Sequence, residues 1–167
     1  MDEYDRNDRC YRNYIIKNAI HSLLNAKDDE RHSRFIGLMS IIAERICENG
    51  EVIVPFVDVK DALINMINPD TVSVGDTICL DEEVRLKMDT VTDGSGRLWY
   101  PIFTDRDELE KGAVSNVIML VSMKDMLCNG LKCETVEGVV FNPFGEAFVM
   151  DKRMIEALFK DFEALGI

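Results

Sequence analysis

The sequence predicts an α/β fold bordering on α+β: a mixed β-sheet covered by helices and preceded by two N-terminal helices. Three observations lead there. Two stretches near the start repeat apolar residues at helical spacing. From residue 52 onward, short β-branched runs alternate with helix starts. Turn signals at Asp93-Gly94-Ser95-Gly96 and Asn142-Pro143-Phe144-Gly145 fold some of these runs back as hairpins.

The first helix spans residues 8–26, where Ile15, Ile16, Ala19, Ile20, Leu23 and Leu24 form one apolar stripe. Asp28 and Asp29 supply a polar break. A second helix runs from about Glu30 to Glu48, with Phe35, Leu38, Met39, Ile42 and Ile46 on its apolar side. Asn49-Gly50 ends it, because Asn and Gly tolerate positive φ. The two stripes suit an intramolecular core, and the first of them also suits a homodimer contact.

Val52–Val57 reads as a strand, and Pro55, which lacks an N–H, marks it as an edge strand or a bulge. A short strand is expected at Thr77–Leu80. Val84, Leu86 and Met88 alternate with charged residues, as in a strand with one buried face. After the glycine-rich turn, Leu98–Phe103 returns as its hairpin partner. A helix follows from about Asp105 to Lys111, then a continuous apolar strand at Val117–Val121. Ser122 caps a helix that stops at Asn129-Gly130, Val139–Phe141 is the next strand, and Ala147–Met150 pairs antiparallel with it. Asp151 caps the last helix, which buries Met154, Ile155, Leu158, Phe159, Phe162 and Leu165. The strand–helix–strand–helix–strand order implies parallel pairings with right-handed crossovers.

The 167 residues suit one domain, able to bury roughly 70% of its unfolded surface without disulfide or metal. The formal net charge is −12, and residues 1–32 carry 7 acidic and 6 basic groups, so the acidity lies in the main body. Such a surface repels phosphate backbones and anionic lipid, so neither nucleic acid nor membrane is expected as a partner. Five cysteines, an acidic start at Met1-Asp2-Glu3-Tyr4-Asp5 and no apolar run of membrane-spanning length suit a soluble cytoplasmic protein with reduced thiols. Cys128 and Cys133 lie too far apart for a redox Cys-x-x-Cys pair.

Two motifs carry the chemistry that remains. In Trp99-Tyr100-Pro101-Ile102-Phe103-Thr104-Asp105-Arg106, a strand runs into a helix start. Thr104 with Asp107, or Asp105 with Glu108, has capping-box spacing. Arg106 is not explained by capping, since a cation in a first turn meets the wrong end of the helix dipole. It pairs with Glu110 in the weaker order, anchors a loop, or meets an acidic ligand. Strand alternation sends Trp99 and Tyr100 to opposite faces. In the second motif, Asn142 and Pro143 favour a turn, Asn142 can bond its own backbone two residues on, and Phe144 sits at the tip as an aromatic contact.

Enzyme templates find no match. His21 and His32 lack the spacing of a metal pair, and no phosphate loop, dinucleotide turn or nucleophile elbow is present. The Asp81-Glu82-Glu83 run lacks the alternating oxygen ligands of a calcium loop. No catalytic residue, metal site or cofactor is expected.

The order of Ile53-Val54-Pro55-Phe56, Tyr100-Pro101-Ile102-Phe103-Thr104-Asp105 and Val140-Phe141-Asn142-Pro143-Phe144-Gly145 resembles the N-terminal domain of the SseB family. The resemblance covers about residues 35–165. It implies a bacterial intracellular protein and no reaction, since the family has no established catalytic residues. Larger members carry a C-terminal domain without counterpart here. The domain division expected is a helical extension at 1–29 followed by the SseB-like domain at 30–167.

Two functions then stand ahead of others. One is a non-catalytic protein-interaction or regulatory module. The other is a domain binding a small anionic, amino-acid-like metabolite, with Arg106 on its carboxylate at the C-terminal ends of the parallel strands. The candidate binding residues are Trp99, Tyr100, Thr104, Asp105, Arg106, Asn142 and Phe144. A structural homodimer through the first helix is a third reading.

Overall fold

The computed structural model describes residues 11–57, 87–112 and 117–165. The strand expected at Thr77–Leu80, the Asp81-Glu82-Glu83 run, Val84, Leu86, Cys10 and Cys79 lie outside the described residues. A 3-10 turn at Tyr11–Asn13 leads into α1 (Tyr14–Leu24), followed by α2 (Asp28–Cys47). The strands and helices after them are β1 (Glu51–Val57), β2 (Lys87–Met88), β3 (Val91–Thr92), β4 (Leu98–Ile102), α3 (Arg106–Glu110), β5 (Val117–Ser122), α4 (Met123–Lys132), β6 (Gly138–Phe141), β7 (Phe148–Asp151) and α5 (Lys152–Leu165). The architecture is α/β, with two N-terminal helices ahead of the strands.

Two sheets form. One has the order β2-β1-β5 and is antiparallel; the other has the order β3-β4-β6-β7 and is mixed. Among the described residues, an isolated antiparallel bridge, Ile53 to Phe103, joins them. Alternation sorts the side chains onto two faces. Val52, Val54, Ile102, Val139, Phe141, Phe148 and Met150 point into the main core, where α1, α2, α4 and α5 cover them. Ile16, Ile20 and Leu23 of α1 belong to this same core, against Leu38, Ile42 and Ile46 of α2. Burying each such side chain contributes roughly 1.5–3 kcal/mol. On the opposite face, Ile53 and Phe103 form a smaller cluster under Leu109 and Ile118.

Several expectations shift in physically readable ways. Helix α2 begins at Asp28, so Asp28 and Asp29 lie in its first turn, where carboxylates suit the positive end of the dipole. At its other end Asn49 adopts φ 56°, Asn49 N–H bonds the Ile46 carbonyl and Gly50 N–H bonds the Arg45 carbonyl, a Schellman closure. Strand β1 is central rather than an edge. Ile53 exchanges backbone bonds with Phe103, and the Pro55 carbonyl accepts from Asp89 N–H, on the same side of the strand. Pro55 stands opposite Asp89 where β1 changes partner from β4 to β2, so its missing N–H forgoes the reciprocal bond to the Asp89 carbonyl.

The expected hairpin also changes partner. The Asp93 turn sets Thr92 opposite Leu98 and Val91 opposite Trp99. Extending that register would place Lys87 opposite Phe103, whose backbone already bonds Ile53. Residues 87–88 pair with β1 instead. Among the described strands only β4 and β6 are parallel, because β5 leaves the expected crossover order and lies antiparallel to β1. Finally, α4 continues through Asn129-Gly130 to Lys132. A Cβ on Gly130 would lie 2.7 Å from Val139 Cγ1, so this glycine lets the helix approach β6 instead of ending it.

Candidate functional site

Because β4 and β6 are parallel neighbours, their C-terminal ends emerge side by side, which brings the two motifs together. Asn142 N–H continues the ladder to the Ile102 carbonyl, 2.9 Å away, and Asn142 then turns with φ 49°. Its side-chain oxygen accepts from Thr104 N–H at 3.0 Å and lies 3.2 Å from the Thr104 hydroxyl. Both residues are buried. The side chain thus locks the neighbouring strand end rather than its own backbone, while Gly145 N–H closes the turn on the Asn142 carbonyl. The Thr104 carbonyl accepts from Asn13, which also bonds the Glu51 carbonyl and receives Arg45 Nε.

Beside this lock lies an ion cluster. Asp105 caps α3 by accepting from Glu108 N–H at 2.9 Å, half of the expected capping box. The Glu108 side chain does not close the box. It is only 3% exposed and pairs with Lys17 at 2.9 Å and Lys111 at 2.7 Å. Lys17 also reaches Asp105 at 3.2 Å. Burial pushes the Glu108 pKa up, but the hydrogen bonds from Lys111 and Lys17 outweigh it and hold the carboxyl below its ordinary value. Burial likewise lowers Lys17, and its bonds to Glu108 and Asp105 prevail and raise it. A Cβ on Gly145 would come within 2.3 Å of Glu108 Oε2, so the second motif's glycine makes room for this carboxylate. His21 pairs with Glu146 at 2.8 Å. Helix α1 and its N-cap Asn13 are therefore tied to both motifs, through Asn13 and Lys17 to the first and through His21 to Glu146, just after the second.

On the face of the mixed sheet away from the main core runs a groove of about 550 Å³. Its floor is Trp99 and Val140, each 5% exposed. Pro143, Phe144, Ala147 and Val149 form an apolar side. Phe144 is half-exposed yet held: its ring stacks on Phe103 with centroids 6.0 Å apart, and a Cβ on Gly112 would lie 2.7 Å from its Cγ. At the β3–β4 end, Asp93 accepts from Ser95 and Arg97 N–H, from Arg97 Nε at 2.8 Å and from the Trp99 indole at 3.1 Å. Desolvation raises its pKa, but these donors prevail and bring it down to about 2. The Arg97 guanidinium lies over the Trp99 ring, 5.5 Å from its centroid. Glu137 and Asp151 line the groove near the start of β6.

The seven candidate residues therefore separate. Trp99 and Phe144 line the groove. Thr104, Asp105 and Asn142 build the junction beneath it. Arg106 is exposed on α3, outside the groove lining and without an ion pair among the described residues. Tyr100 faces the other way, donating its hydroxyl to Cys133 Sγ at 3.2 Å. Burial, reinforced by the neighbouring thiol, raises Tyr100 to about 12. The Thr135 and Tyr100 hydroxyls, with the Thr135 and Val136 N–H groups, bring Cys133 down to about 7 against some desolvation. Among the described residues, no three His, Cys, Asp or Glu side chains come together as a metal site, and no helix is long and apolar enough to cross a membrane.

Sequence reasoning missed Lys17, Lys111, Arg97, Glu137 and the buried state of Glu108. Only Arg97 carries a local signal, as the residue four beyond Asp93.

No curated protein and no solved structure matches the chain. The family model of the SseB protein N-terminal domain matches residues 16–157, from within α1 to within α5 and across both motifs. That span includes the parallel β4–β6 pair, the Thr104–Asn142 lock and the groove, and the chain belongs to the SseB family through this N-terminal domain.

Proposed function

We propose that this domain is a non-catalytic protein-interaction module and that the groove is its contact surface. The observation that carries the reading is Phe144: an aromatic ring half open to solvent but fixed from behind by Phe103 and Gly112. An aromatic side chain ordered before binding loses little entropy on contact, which suits it to anchor a partner. Trp99 and Val140 give the surface a packed floor, and the junction of Asn142 with Thr104 holds Phe144 in place. The cytoplasm, where the thiols stay reduced, is the compartment this reading assumes. The metabolite reading needs Arg106 in a pocket, and its exposed position on α3 outside the groove gives that reading no comparable support.

The test is crosslinked affinity capture with the wild-type chain, Phe144→Ala and Arg106→Ala, each first checked for an unchanged circular dichroism spectrum. Partners should be lost with Phe144→Ala and retained with Arg106→Ala. A partner set unchanged by Phe144→Ala sinks the proposal.

A further inference from the structure

The groove has a direction, and its charge says what it accepts. Along β6, Glu137 and Asp151 stand at the strand's start, and Pro143 and Phe144 stand beyond its end. Asp151 is opposite Gly138 in the β6–β7 register, and Lys152 N–H bonds the Glu137 carbonyl, so the two acidic residues share one end. The lining holds three carboxylates, Asp93, Glu137 and Asp151, and one guanidinium, Arg97. Arg97 is already paired with Asp93. Glu137 and Asp151 have no cationic partner among the described residues, and the chain around them carries a net −12. Asp151 spends one oxygen on the Met154 N–H at the start of α5, and its other oxygen has no hydrogen-bond partner among the described residues.

Resting on the interaction reading above, we infer that the groove takes an extended polypeptide segment with an apolar side chain against Phe144 and a Lys or Arg against Glu137 and Asp151. At about 3.3 Å per residue, the four residues of β6 span roughly 13 Å, so the two anchors of an extended partner lie about four residues apart, on one side of its chain. A polypeptide fits better than a small cation because the groove's apolar side is open to solvent at Phe144, Ala147 and Val149, whereas small ligands are enclosed on most of their surface. Charge complementarity sets the sign: an acidic segment would meet unpaired carboxylates.

The experiment uses the fluorescence of Trp99, the sole tryptophan, which lies in the groove floor. Three nonapeptides of Ser and Gly are titrated into the full chain, each with Leu third and with Lys, Ser or Glu seventh. The Lys peptide should bind about tenfold more tightly than the Ser peptide, with the difference shrinking at high salt. The Glu peptide should bind most weakly. Glu137→Gln with Asp151→Asn, which keeps a capping side chain on α5, should bring the Lys and Ser peptides level. Equal binding of all three peptides by the wild type overturns the charge inference and leaves the groove reading intact. No Trp99 response to any of them overturns the segment chemistry, and the Phe144→Ala capture then judges the groove reading separately.

Discussion

Replacing Asn142 by alanine removes the acceptor of Thr104 N–H and of the Thr104 hydroxyl, at 3.0 and 3.2 Å, in a place that water does not reach. Orphaning a buried backbone donor costs about 1–3 kcal/mol. The alanine holds the same φ 49°, a Cβ strain that Asn142 already bears, so the lost hydrogen bonds dominate the change. The expected loss is about 2 kcal/mol, or a fall in Tm of about 4–8 °C for a chain of this size. Urea unfolding followed by Trp99 fluorescence measures it. Asn142→Gly separates the parts, since glycine accepts the backbone angle and loses only the hydrogen bonds, so it should be about 1–2 kcal/mol more stable than the alanine variant. An alanine variant within 1 kcal/mol of wild type would refute the claim that this side chain locks the two motifs together.

Glu108 makes acid stability a second test. Its folded pKa lies below the unfolded value, so its contribution is fully present above about pH 4.3 and is lost as pH falls through the depressed folded value. Glu108→Gln should flatten the acid limb of a stability–pH curve, and an unchanged limb would contradict the ion cluster. Cys133, held at about 7, should be alkylated by iodoacetamide with a half-maximal rate near that pH, and Tyr100→Phe should move the midpoint upward. Peptide mapping by mass spectrometry reads this, and a wild-type midpoint above 8.5 would contradict it. Ile20→Ala should cost about 2–4 kcal/mol, since Ile20 is fully buried among α2 and sheet residues. The unfolding midpoint should not vary with protein concentration; a concentration-dependent midpoint would place the α1 stripe at a subunit contact instead.

Local signals and long-range geometry divided the legibility of this fold. Helical spacing and alternation located α1, α2, β1, β4 and the elements after them, because each pattern reports which side of one element is buried. Pairing is different: alternation gives the face of a strand but not its neighbour. Nothing within 51–57 or 117–122 says that these strands lie antiparallel, so β5 was expected in a parallel crossover. Pro55 shows how a sound rule can point the wrong way. It cannot donate to a ladder, which ordinarily means an edge, but here a central strand gives up one bond of the Pro55–Asp89 pair at the point where it changes partner.

The site divides along the same line. Thr104, Asp105 and Asn142 were legible one at a time as cap and turn residues, because capping and turn chemistry act over three or four positions. Their joint role was not, since Asn142 serves Thr104 across the β4–β6 pair and α1 reaches both motifs through Asn13, Lys17 and His21. Glu108 is the sharpest case. Its spacing from Asp105 reads as a capping box, and its own backbone N–H does take that bond. Yet the side chain is buried between Lys17, from 91 positions upstream, and Lys111, and it occupies room left by Gly145. A buried carboxylate with two lysine partners fixes where α1, α3 and the Asn142–Gly145 turn sit relative to one another. The turn carries Phe144, so the orientation of the groove's exposed aromatic depends on a charge cluster that does not line the groove. On the proposed reading, loss of either lysine would weaken partner binding by displacing Phe144, although neither lysine lines the groove.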